Sequence, residues 1–124
     1  MDISRNKVVG KVWLPERGGP HWMHVVIADS QDEIGGNIAQ CEYDFDATGD
    51  CVGALVFVEG LTSRRVLVHE ATHASLSYSS VLMQQPGVVK MSEMDQQAYL
   101  DECIPTLNEN IYAQLEDLLR GKLS

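Results

Sequence analysis

The most informative segment of this chain is VLVHEATH, which runs from Val66 to His73. Its apolar beginning is typical of a helix that enters a protein core, and it leads directly into the pentad His-Glu-x-x-His. Because side chains four residues apart on a helix point in the same direction, His69 and His73 are expected on one face. The segment therefore predicts a helix that presents two neighbouring imidazoles, with Glu70 next to the first of them in sequence.

This pair of imidazoles predicts a metal site. Two histidines at this spacing on a helix can bind one Zn²⁺ ion. The glutamate of the pentad can then accept a proton from a water molecule that the ion activates. The sequence therefore assigns His69 and His73 as zinc ligands and Glu70 as the general base.

The source of a third ligand stays open at the level of the sequence. A catalytic zinc ion takes three protein ligands and keeps one position for water. No histidine follows His73, so a third imidazole would come from His21 or His24. The other source is a carboxylate on the next helix, where residues 101–102 fall at the point at which that helix would pass the first. In order of expectation, the candidate carboxylates are Glu102, Asp101 and Glu109.

Hydrolysis at such a site also needs a donor for the negative charge that develops on the carbonyl oxygen. Tyr99, one helical turn before Glu102, and Tyr78, five positions after His73, are candidates. Tyrosines at such positions more often pack in a core or at its rim, so we expect structural roles for both.

Length and composition predict one globular domain over residues 1–124. A chain of this size commonly forms a single domain. Its apolar content of 44 % is ordinary, and no apolar run is long enough to span a bilayer. The first seven residues, MDISRNK, lack the apolar core of a secretory signal, so a cytoplasmic location is expected.

The charge balance excludes some classes of partner. The formal net charge is −9, with 18 acidic against 9 basic residues. Nucleic acid backbones and anionic lipids both require a positively charged surface. The acidic residues are scattered and form no regular stripe, as a mimic of nucleic acid would need. We therefore expect no nucleic acid and no membrane partner. The peptide or protein substrate that we expect follows from the pentad and not from the charge.

The three cysteines, Cys41, Cys51 and Cys103, predict no disulfide framework, because their number is odd and their spacing wide. If the first two lie on the arms of one hairpin that turns near Thr48, then Cys51 faces Phe45 rather than Cys41. We therefore expect three reduced cysteines, and no zinc site of the Cys-x-x-Cys kind.

The first half of the chain indicates β structure. One segment alternates apolar and acidic residues with a period of two, which is typical of a half-buried strand. Another, VGALVFV, is almost fully apolar and predicts a central strand. In chain order the predicted strands are Lys7–Leu14, His21–Ala28, Ile38–Asp46 and Val52–Val58.

The second half indicates helices. Thr62 or Ser63 can cap a helix that runs from about Arg64 to about Ser79. Residues 80–91 include a Pro-Gly pair and are expected to form a connecting loop. Ser92 can then cap a second, longer helix.

This second helix is predicted to continue to about Arg120. Pro105 lies inside it and predicts either a kink or two helices that meet there. The two halves together predict an α+β fold. A short, mostly antiparallel sheet of three to four strands packs on the pentad helix and on the long C-terminal helix.

The segment VHEATHA, from Val68 to Ala74, has a short sheet before it and a helix with an acidic pair near its beginning after it. In this it resembles the minimal zinc-dependent peptidase-like proteins, many of which are small proteins of phages and prophages. The repressor-cleaving peptidases of mobile genetic elements share the same core plan. The resemblance covers roughly residues 52–119, and the pentad is its specific part.

The resemblance implies a zincin-like fold with a Zn²⁺ site that hydrolyses a peptide bond. It would place zinc binding on His69 and His73, the general base on Glu70 and the third ligand on Glu102. The alternative is a non-catalytic binding or regulatory protein of the phage or prophage type, with a structural or vestigial metal site. It stays open because a chain this short has little mass for substrate subsites.

Overall fold

A four-stranded sheet forms the N-terminal half of the computed structural model, which describes residues 7–124. All four predicted strands are present. The third is shorter than predicted, because the backbone turns at Asp44, whose carboxylate accepts a hydrogen bond from the Asp46 N–H. The strands are β1 (Lys7–Leu14), β2 (His21–Ala28), β3 (Ala39–Tyr43) and β4 (Cys51–Val58).

The sheet is mixed, with the strand order β1-β2-β4-β3. The two outer pairings, β1 with β2 and β3 with β4, are antiparallel as expected. The central pairing of β2 with β4 is parallel. Two of the three pairings are thus antiparallel. The parallel one arises because the chain first crosses to the far edge, forms β3 there, and returns as β4 beside β2. The strand β3 is consequently an edge strand.

Three helices follow the sheet: α1 (Arg64–Met83), α2 (Pro86–Val89) and α3 (Glu93–Leu119). Ser63 is the cap of α1, since its hydroxyl accepts from the Val66 N–H, whereas the buried Thr62 hydroxyl donates to Val58 O. Residues 80–91 are not simply a loop, because they contain the last turn of α1 and all of α2. The serines there are compatible with a helix because the Ser80 hydroxyl donates to a carbonyl of the preceding turn.

The long helix α3 is continuous through Pro105. Its cap is Ser92, whose hydroxyl accepts from the Asp95 N–H. Pro105 cannot donate to the carbonyl of Asp101, one turn earlier. Both residues are exposed, so water can solvate that carbonyl, and the helix does not have to divide in two.

The main core lies between one face of the sheet and the helices, where α1 packs against β3 and α3 packs against β1. Alternate residues of the strands point to the opposite face. There they form a second, smaller cluster, which makes β4 apolar on both sides as predicted. Its members are Val26, Ala28, Ile34, Ala54, Val56 and Val58.

No helix among residues 7–124 is both long and apolar enough to cross a bilayer. The residues before Lys7, on which the expected cytoplasmic location depends, lie outside the described part of the chain.

A buried glutamine joins α3 to the edge strand β1. Gln114 is 2 % exposed, and its amide bonds both backbone groups of Trp13. Its Oε1 accepts from Trp13 N–H at 2.8 Å, and its Nε2 donates to Trp13 O at 3.0 Å. The side chain therefore continues the hydrogen bonding of the sheet at this edge and fixes the helix against it.

Replacing Gln114 with alanine should lower the free energy of unfolding by about 2–4 kcal/mol, because two backbone groups lose their partners and a cavity forms. Urea denaturation followed by circular dichroism measures this change. The control is Gln97→Ala on the exposed face of the same helix, for which we expect about 0.5 kcal/mol or less. Equal effects of the two substitutions would contradict a fixing role for Gln114.

Candidate metal centre

The helix α1 brings all three functional residues of the pentad together. Each of His69, Glu70 and His73 offers one ligand atom, and these atoms lie within 4.8 Å of one another. The two imidazole Nε2 atoms are 3.1 Å apart. Both histidines are exposed, so the space between their rings is accessible from solvent.

This separation fits a shared zinc ion. An ion about 2.05 Å from each Nε2 would make an N–Zn–N angle of about 100° at the observed 3.1 Å, close to the tetrahedral angle that zinc prefers. The same distance also fits an N–H···N hydrogen bond between neutral rings. The two nitrogens therefore already lie at a separation at which one ion can reach both.

Glu70 is the chemically distinctive member of the group. It is only 4 % exposed, and its Oε2 has no hydrogen-bond partner among the described residues. Burial raises the pKa of this carboxyl group, and the neighbouring His73 and His69 partly oppose the rise. A buried carboxylate oxygen without a partner costs free energy unless a proton, a water molecule or a cation satisfies it. The position therefore suits a group that takes up a proton.

The pentad faces the edge strand β3. A cavity of about 340 Å³ lies between them, with Gln40 and Cys41 on the strand and Ser77 on the helix among its walls. Within residues 7–124, no strand pairs with the outer edge of β3. Free backbone groups of an edge strand can pair with an extended peptide. The imidazoles, the carboxyl group and an available edge therefore border the same space.

Cys41 lines this cavity, but its sulfur is not one of the ligand atoms that converge at the pentad. Burial, with smaller contributions from the carboxylates of Glu70 and Glu42, raises the pKa of its thiol to about 12. The thiolate is the form that binds metals, so a neutral thiol is expected here near neutral pH. All three cysteines are free in this structure.

The carboxylates predicted as third ligands are not among the ligand atoms that converge at the pentad. Glu102 lines a separate cavity of about 400 Å³ with Leu82 and Gln85 near the C-terminal end of α1. The helices run antiparallel, and it is Asn108 whose amide reaches the Thr72 hydroxyl at 3.0 Å. The two carboxylates considered after Glu102, Asp101 and Glu109, are exposed.

Glu102 lies beside the end of α1 and not beside the pentad because α1 is longer than predicted. Because it continues to Met83 instead of ending near Ser79, the chain turns back later. The residues of α3 at the level of the pentad then have higher numbers than the sequence predicted. Among the described residues, the only cluster of three or more His, Cys, Asp or Glu side chains with metal-binding spacing is the pentad group itself.

The two upstream histidines do not join the group either. His21 Nδ1 lies 2.7 Å from the hydroxyl of the buried Tyr78. His24 points to the opposite face of the sheet, and its Nδ1 is buried without a partner among the described residues. The other tyrosine considered as an oxyanion donor, Tyr99, donates to Gln85 far from the pentad.

The structure also adds neighbours that the sequence analysis missed. Arg65 and Ser77 lie one helical turn before His69 and one after His73, and both line cavities beside the pentad. Helical spacing alone would have identified them. Asn37 and Gln40 come from the β3 region, and no local pattern connects them to the pentad.

The chain was compared with family models, curated proteins and solved structures, and nothing in these three collections matches it. The resemblance to minimal zincins therefore remains a prediction that depends on the pentad.

Replacing either His69 or His73 with alanine should weaken zinc binding by more than about a hundredfold. The loss of a residue that only hydrogen-bonds to a ligand already lowers metal affinity by about 10- to 100-fold, and the loss of a direct ligand should lower it further. Isothermal titration of metal-free protein with zinc measures the affinity. His24→Ala is the matched control, because that ring lies on the opposite face of the sheet. A zinc affinity that is unchanged in both pentad variants would show that the ion binds elsewhere.

The three carboxylates predicted as ligands can be tested in the same way. On the observed geometry, zinc content should stay unchanged in Asp101→Ala, Glu102→Ala and Glu109→Ala, as measured by mass spectrometry of the metal after gel filtration. A clear loss of zinc in Glu102→Ala alone would contradict this arrangement of α1 and α3. It would indicate that α3 shifts along α1 when the ion binds.

Proposed function

We propose that this protein is a zinc-dependent, metallopeptidase-like hydrolase that cleaves a peptide bond, with His69 and His73 binding the ion and Glu70 as the general base. One observation carries the proposal. A buried carboxyl group without a hydrogen-bond partner lies beside two convergent, exposed imidazoles. A zinc site with a purely structural role needs no proton acceptor outside its set of ligands. The proposed location is the cytoplasm.

The substrate binds along the edge strand. The backbone of an extended peptide can hydrogen-bond to the outer edge of β3, as in other cases of strand addition. The cavity of about 340 Å³ between β3 and α1 then receives the bond to be cleaved. This arrangement brings a carbonyl carbon of the peptide close to Glu70 and the two imidazoles.

The chemistry divides between the ion and the chain. When bound, zinc lowers the pKa of a water molecule and polarises the peptide carbonyl. Glu70 accepts a proton from the attacking water as its oxygen forms a bond to the carbonyl carbon. It then gives that proton to the nitrogen as the C–N bond breaks, which releases an amine and a carboxylic acid. Burial supports this role, because it raises the pKa of Glu70 toward the range in which a group both accepts and returns a proton.

A second candidate function is a non-catalytic binding or regulatory protein with a structural or vestigial metal site. The observation that favours it is the ligand set. Among the described residues, only two imidazoles and the Glu70 carboxyl group converge, whereas a catalytic zinc ion takes three protein ligands. In this case Glu70 is itself a ligand, and the protein acts by docking on a partner.

The variant Glu70→Gln separates the two functions. Under the hydrolase proposal, it should keep stoichiometric zinc and lose about 10²- to 10⁴-fold in kcat/KM, because the proton acceptor is gone. The measurement is cleavage of a degenerate peptide pool by zinc-loaded protein, detected by mass spectrometry. The matched control is Glu93→Gln, on the exposed first turn of α3, which should cleave like the unmodified protein.

Two results would count against the hydrolase. If zinc-loaded protein cleaves no peptide of the pool, the activity is absent. If the single variant Glu70→Gln loses zinc as the single variant His69→Ala does, then Glu70 is a ligand and the second function is supported.

A further inference from the structure

A second cavity adjoins the metal centre at the N-terminal end of α1. Its volume is about 290 Å³, and it shares His69 and Glu70 with the pentad group. Its other walls come from Arg65 and Val66 on the helix and from residues 37–39 before and at the beginning of β3. Sites for whole small molecules begin at about 300 Å³. A cavity of this size therefore suits one side chain or one chain end.

The cavity combines apolar walls with one available cation. Val66 is buried, and Ile38 is a large apolar side chain at 49 % exposure. The guanidinium of Arg65 forms no hydrogen bond or ion pair with any described residue, and the first turn of α1 contains no acidic residue to neutralise it. A planar guanidinium with five free donors matches a carboxylate, which can accept two parallel hydrogen bonds.

The neighbouring arginine is engaged differently. Arg64 lies near the hydroxyl of Tyr112 on α3 and lines neither of the cavities beside the pentad. The two arginines lie in the same helical turn, but of the two only Arg65 lines the cavity beside the pentad. Arg64 therefore serves as a matched control.

The direction of the strands shows which part of a peptide reaches this cavity. The beginning of β3 lies beside the beginning of α1, and its end at Tyr43 lies beside Val81. The strand and the helix consequently run in the same direction. A peptide that pairs antiparallel with β3, the more stable pairing, places its C-terminal part beside Arg65.

We propose that this cavity binds a carboxylate on the C-terminal side of a peptide substrate, and that Arg65 determines this specificity. The inference rests on the proposed function, because it assigns the substrate class of that same site. The carboxylate comes from an Asp or Glu side chain or from the end of the peptide, since both present the same group to the guanidinium.

Charge explains why one arginine is decisive. The net charge of −9 repels an acidic peptide, but salt screens that repulsion beyond about 8–10 Å. At contact distance the relevant groups are Arg65, which attracts the carboxylate, and Glu70, which repels it. Removing Arg65 should therefore abolish a preference for carboxylates.

The first test measures binding to metal-free protein, because zinc would itself attract carboxylates. The probes are acetyl-Ala-Glu-amide, acetyl-Ala-Gln-amide and acetyl-Ala-Gln with a free C-terminus, each titrated by NMR. We expect at least one carboxylate-bearing peptide to bind roughly tenfold to a hundredfold more tightly than the neutral one. Tighter binding of acetyl-Ala-Glu-amide would identify the carboxylate as that of a side chain, and tighter binding of acetyl-Ala-Gln with a free C-terminus would identify it as that of the chain end. Arg65→Gln should abolish this preference, while the control Arg64→Gln should keep it.

The second test uses zinc-loaded protein and peptide pools that differ only in Glu or Gln at each position. Preference for carboxylates in binding, together with no cleavage of any pool, would overturn the proposed hydrolase but leave the carboxylate site standing. Cleavage that ignores the Glu-for-Gln exchange, together with equal binding of the three probes, would overturn the carboxylate site and leave the hydrolase standing. A preference that survives Arg65→Gln would also overturn the inference.

Discussion

The packing of α1 against the edge strand β3 is the constraint on which the site depends. A helix turns by about 100° per residue, so neighbours in sequence point in different directions. When Ala71 and Ala74 face the core at 0 % exposure, Glu70 is directed to the border between helix and sheet. His69 and His73 are then turned toward solvent. One packing arrangement thus produces a buried acid and two accessible imidazoles from adjacent positions.

This arrangement has an energetic cost that the proposed function would explain. The buried Glu70 oxygen has no partner among the described residues, and it opposes folding unless a proton, a water molecule or a cation satisfies it. Burial of apolar side chains in the surrounding core, on both faces of β4, supplies the free energy of folding that offsets this cost. Gln114 adds stability at the other edge by bonding the backbone of β1. The fold therefore tolerates a destabilising group at the place where a proton acceptor is useful.

Much of the fold follows from local patterns in the sequence. The strands β1 and β2 begin and end at the predicted residues, because β-branched runs and the turns that follow them leave little choice. The pentad also converges as helical spacing requires. The parallel pairing of β2 with β4 could not be predicted in this way, since it depends on how the chain crosses the sheet. The position of Glu102 depends on where α1 ends, and the serines near Ser80 do not mark that end. Arg65 shows the converse case, because its place beside the pentad follows from spacing but its free guanidinium is visible only in the structure.

The central claim is that the two imidazoles of α1 bind one divalent cation beside Glu70. The most direct measurement is an anomalous difference map, recorded at the zinc absorption edge from crystals grown with zinc. The account predicts a single strong peak about 2.0–2.1 Å from both Nε2 atoms, with Glu70 next to it but not bonded to it and with a position open to water. A map without a peak between His69 and His73, in crystals that contain stoichiometric zinc, would contradict it.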